Sequence, residues 1–93
     1  MAIIQTDYKE LYVFAKNLDE FTNELEYQMG KLVSETNNVT GYSWRGRQAE
    51  DFAALINDTD KDMQKQIESL RELVDAINEK ARDLEEIANR KFK

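Results

Sequence analysis

Ala49, Ile56, Met63, Leu70, Ile77 and Leu84 recur every seven residues. A seven-residue apolar repeat sustained over that distance is a helical periodicity, which a strand cannot present on one face. Phe52, Leu73 and Ile87 occupy the companion core position, with Ala53, Ile67, Val74, Ala81 and Ala88 alongside. No proline occurs anywhere in the 93 residues, so the repeat predicts one unbroken helix over about 48–90.

A second stripe precedes it. Leu11, Phe14, Leu18, Phe21, Leu25 and Leu32 are spaced by threes and fours, with Gln28 interrupting the seam. Tyr8, Ala15 and Met29 lie beside this line, and Tyr12 and Val33 extend its other flank. The face is therefore wider than a two-stranded seam requires, and needs more than one neighbour. Thr6 or Asp7 supplies an N-cap oxygen, Asp7 with Glu10 resembles a capping box, and Thr36-Asn37-Asn38 favours a stop. These signals predict a first helix over about 7–37. Gly30 within it marks either a bend or close crossing, or a tolerated surface glycine.

Between the stripes, about 38–47, lies a turn containing Gly41, Gly46 and the only tryptophan, Trp44. Ser43 is the expected cap of the second helix, and Glu50 and Asp51 suit the positive end of its dipole. A Trp beside a Gly at a helix corner has two readings. It is an aromatic lid on a hairpin loop, or it is a recognition motif.

The expected architecture is all-α: a single domain, 1–93, folded as an antiparallel two-helix hairpin. The helices would measure about 46 Å and about 63 Å. Folding about Ser43 sets Leu32 near residue 54 and Leu11 near residue 75. Leu84 and Ile87 would then project past the first helix unless Ile3 and Ile4 cover them. Together with the wide apolar faces, this predicts that two hairpins pair into a four-helix bundle.

Composition narrows the function. A net charge of −6 argues against nucleic acid, whose phosphates need a basic surface. With no histidine and no cysteine, the commonest general base, metal ligand and nucleophile are missing. Asp58, Asp60 and Asp62 alternate as at the start of a calcium loop, but Met63 stands where the turn glycine belongs and Ser69 where the bidentate glutamate belongs. The sequons at Asn38 and Asn57 carry no assigned function. Arg90, Lys91 and Lys93 complement the helix C-terminus. The reading is a non-enzymatic interaction protein with no cofactor, no metal and no membrane span, and no signal peptide is expected. Its partner interface comprises Leu11, Phe14, Leu18, Phe21, Leu25, Leu32, Phe52, Ile56, Met63, Ile67, Leu70, Val74, Ile77 and Leu84.

Two heptad helices joined by Trp44-Arg45-Gly46, with Ala49 and Phe52 opening the second, resemble the WXG family of small type VII secretion proteins, the early-secreted-antigen-like proteins. The resemblance implies homodimeric or heterodimeric four-helix bundles, exported by an ATPase-driven machine from the bacterial cytoplasm by a route that needs no signal peptide. It also implies that Trp44 and Gly46 contribute half of a composite secretion signal. The other half, a Tyr or Phe followed four residues later by an acidic residue beyond the second helix, is not matched, since Phe92 is followed by Lys93. The expectation is a targeting or chaperone-like partner for a second small member or for the helical N-terminal region of a larger LXG-type toxin. A cytosolic coiled-coil adaptor and a membrane-active effector are the alternatives.

Overall fold

The computed structural model describes residues 7–91. Ile3 and Ile4, Thr6 as an alternative cap, and Phe92 and Lys93 lie outside the described residues. Two helices account for nearly all of the rest, α1 (Tyr8–Asn38) and α2 (Arg47–Lys91), with a single π-helical turn, Val39–Ser43, extending α1. They fold back on each other as an all-α hairpin, a rod of 70 × 19 × 19 Å, and no strand occurs among the described residues.

Helix α1 begins where its sequence supplies an oxygen for the orphan N–H groups. The Asp7 side chain accepts from the Lys9 N–H at 2.9 Å, and its carbonyl accepts from Glu10 and Leu11. Glu10 adds a negative charge in the first turn, where the helix dipole favours it. Gly30 is exposed, and a Cβ built on it would meet nothing within 4 Å. It is a surface glycine and marks no close crossing.

The line along which the helices meet differs from the one the apolar stripes predict. The buried residues of α1 are Ala15, Thr22, Met29 and Thr36, seven apart. On α2 they include Ile67, Val74 and Ala81, also seven apart. Leu11, Leu18 and Leu25, and Ile56, Met63, Leu70, Ile77 and Leu84 opposite them, are only half-buried, while Phe14 and Phe21 are exposed. The reason is size. The distance between packed helices is set by the side chains at the contact; Ala15 and Ala81, 1% and 0% exposed, let them close at one end of the seam, and Met29 and Ile67 fill it further along. A pair of phenylalanines in the same place would hold the helices apart. Thr22, fully buried, meets its polar demand locally by donating from Oγ1 to the Leu18 carbonyl at 2.7 Å.

The register also departs from a fold about Ser43. Tyr12, expected opposite residue 74, donates its hydroxyl to Glu85 Oε1 at 2.9 Å. Arg71 donates to Asn23 Oδ1 at 3.0 Å and to Glu26 Oε1 at 2.7 Å. These bonds slide α2 by eleven residues relative to that expectation, about 16 Å along the axis. Ala15 thus stands about level with Ala81, Thr22 with Val74 and Met29 with Ile67. Leu84 and Ile87 lie beside the first turns of α1 and do not project past it. The extra length of α2 overhangs at the turn, for a reason that lies in the turn itself.

Candidate functional site

The chain leaves α1 through the π turn, where the Trp44 N–H donates to the Val39 carbonyl five residues back at 2.8 Å. Trp44 itself is extended, with φ −130° and ψ 116°. Gly46 follows with φ +113°, a conformation that residues bearing a Cβ rarely adopt. Its carbonyl accepts the first helical bond of α2, from the Glu50 N–H at 3.1 Å. Gly46, and not Ser43, therefore stands at the head of α2. Three residues suffice for the reversal, because one is stretched and one has the freedom of glycine. The stretched residue carries the chain outward before α2 begins, which explains the overhang.

The overhanging turn of α2 brings Phe52 under the tryptophan. The two ring centroids are 5.6 Å apart with their planes at 49°, within the range of a favourable aromatic pair. Trp44 is 37% exposed and Phe52 41%, so both residues remain partly open to solvent.

A protein-family model described as proteins of 100 residues with WXG matches residues 3–87. The chain belongs to this WXG100 family. Its members are small helical proteins that are secreted by type VII systems, typically form dimers of helical hairpins, and are not known as enzymes. No curated protein and no solved structure matches the chain. In this WXG100 protein the residues that name the family, Trp44, Arg45 and Gly46, form the reversal just described.

The remaining residues of interest are distributed by helical geometry. On α1, Phe14 and Phe21 lie one position, about 100°, from the buried line of Ala15 and Thr22, with Leu11, Leu18 and Leu25 between. On α2, Phe52, Leu73 and Ile87 lie one position from the buried line of Ala53, Val74 and Ala88, with Ile56, Met63, Leu70, Ile77 and Leu84 between. Because the helices are antiparallel, both displacements point to the same side of the hairpin. One face of the rod is thus apolar along its length, and Phe14, Phe21, Leu32, Leu73 and Ile87 are 43–58% exposed on it. The Trp44–Phe52 pair ends this face at the turn. Ile67 and Val74, 2% and 7% exposed, are enclosed inside the hairpin.

The opposite side is polar and carries the bonds between helices. Tyr12 and Glu85 occupy one end and Arg71, Asn23 and Glu26 the middle. Donation to the Glu85 carboxylate, with some desolvation, raises the Tyr12 phenol above its ordinary value of 10.0. Nothing in a heptad pattern distinguishes a bonding Tyr or Arg from a solvated one. The one legible sign was Tyr12, which flanks the stripe.

Among the described residues, no group of three or more acidic side chains is placed to hold a metal ion, and Asp58, Asp60 and Asp62 ride on a continuous helix. No helix among the described residues is long and apolar enough to cross a membrane.

Proposed function

We propose that this protein acts in type VII secretion as a helical dimerisation partner, or targeting factor, for a co-secreted protein. Its apolar face packs against another helical hairpin to complete a four-helix bundle. That hairpin is a second copy, another small family member or the helical N-terminal region of a larger toxin. The observation that carries the reading is the continuous face: Phe14, Phe21, Leu32, Leu73 and Ile87 remain about half exposed along one flank, whereas Val13, Tyr27 and Leu55 are exposed singly elsewhere. Covering the exposed half of each contributes roughly 1 kcal/mol, and several such side chains in one stripe form the centre of an interface. Trp44 and Gly46 serve as the part of the export signal that this chain supplies.

Co-expression with the helical protein encoded beside it, followed by pull-down, light-scattering mass and secretion assay, tests the proposal. Phe14→Ser with Phe21→Ser is expected to abolish the complex while leaving the helix content unchanged. A complex of undiminished affinity in that double variant would place the interface elsewhere. Export that is unchanged in Trp44→Ala would remove the turn from the signal.

A further inference from the structure

Trp44 is poorly held by its own surroundings. Its backbone is extended, Gly46 two residues on takes the positive φ, and its N–H bonds to the Val39 carbonyl. An indole on such a stretch has several rotamers open to it, and a recognition element gains from having only one. The neighbour that restricts it is Phe52, one turn into α2, whose ring lies at 5.6 Å and 49°. Phe52 stands on the outward line of α2 that also carries Leu73 and Ile87. It therefore joins two features that are separate in sequence, the turn and the apolar face.

We propose that Phe52 is a positioning residue that fixes the Trp44 indole at the end of the apolar face, so that a partner seated on the face and the tryptophan are read as one surface. This rests on the role given to Trp44 above. Phe52 is 41% exposed, too open to be a core anchor, and the Cβ that Gly46 lacks would meet nothing within 4 Å. Among the described residues, the aromatic neighbour of the indole is Phe52. The overhang of α2 supplies the missing wall, since a hairpin with its ends in level register would carry Phe52 below the turn.

Because Trp44 is the only tryptophan, its fluorescence reports this site alone. The experiment uses the full chain as wild type, Phe52→Ala, Phe52→Leu and Trp44→Ala. Phe52→Ala is expected to red-shift the emission and to raise acrylamide quenching by about two-fold or more, with helical circular dichroism unchanged; Phe52→Leu restores part of both. The pair's ordinary contribution corresponds to about a two- to twelve-fold effect, so the exported amount should fall by a similar factor in Phe52→Ala and less in Phe52→Leu. Unchanged emission and quenching in Phe52→Ala at full helicity would overturn the positioning role. Wild-type export in Phe52→Ala, beside defective export in Trp44→Ala, would overturn its link to recognition while leaving Trp44 in the signal. Wild-type export in Trp44→Ala would overturn both that link and the signal role of the turn.

Discussion

Alanine at two glycines should have opposite effects, and the structure sets both signs. Gly30 lies in the middle of α1, exposed, with open space where a Cβ would project. Gly30→Ala removes the entropic penalty of glycine in a helix and should stabilise by roughly 0.5–1 kcal/mol. Gly46 has equally open space around it, so no steric clash awaits a methyl group there. Its φ of +113° is the difference. An L-residue forced into such a conformation costs about 1–3 kcal/mol, or it relaxes by moving the turn and losing the Trp44–Phe52 contact. The two variants should therefore separate by about 2 kcal/mol or more, in a domain where each kcal/mol moves Tm by about 4–8 °C. Thermal and urea unfolding followed by circular dichroism at one fixed chain concentration measures this, since association would otherwise change the apparent stability. A Gly46→Ala protein as stable as wild type would refute the account of the turn given above.

Enlarging Ala81, fully buried against α1, should cost about 1–3 kcal/mol by overpacking; Ala81→Leu measured by denaturant unfolding checks this, with Leu73→Ala as an exposed control expected to cost far less. Arg71→Ala removes two hydrogen bonds at side chains that are 39% and 49% exposed in its ion pair with Glu26, so its cost should stay within about 1 kcal/mol and shrink in high salt. Tyr12 gives a pH dependence of definite sign. Its folded pKa is raised above 10.0 by Glu85, so its contribution is complete below the unfolded pKa and is lost as pH rises through the higher folded value. Wild type should lose more stability than Tyr12→Phe between neutral and strongly alkaline pH, as read from Tm across that range.

The seven-residue repeats specified two helices because their period excludes strands, and the lone glycine pair specified where they part. What the repeats could not specify is which of two adjacent lines faces inward. The lines through Phe14 and Phe21 and through Ala15 and Thr22 are about 100° apart, and hydropathy alone ranks the phenylalanine line higher. Packing ranks them the other way, because the helices close on Ala15, Thr22 and Ala81. Thr22 and Thr36 show the limit plainly. Scored as polar, they are among the most buried residues; the Thr22 hydroxyl, bonded to the Leu18 carbonyl within its own helix, leaves a methyl group for the seam. The register was hidden for a similar reason. It depends on an extended Trp44 and on bonds such as Tyr12 to Glu85, neither of which leaves a periodic trace.

This offset of one line gives the hairpin its asymmetry. With the line of Ala15 and Thr22 turned inward, Phe14 and Phe21 are left on one flank and the interhelical polar bonds on the other, so the fold itself distinguishes the two sides. A chain that placed Phe14 and Phe21 inside would close its own apolar surface and have nothing left to offer. The overhang follows the same logic at the turn, because an extended Trp44 and a permissive Gly46 lift α2 until Phe52 meets the indole. Shortening that lift tests the connection. Gly46→Ala, if it folds, should return Trp44 fluorescence toward that of Phe52→Ala although residue 52 is untouched, and wild-type emission in a Gly46→Ala protein of lowered stability would show that the turn and the aromatic pair are independent.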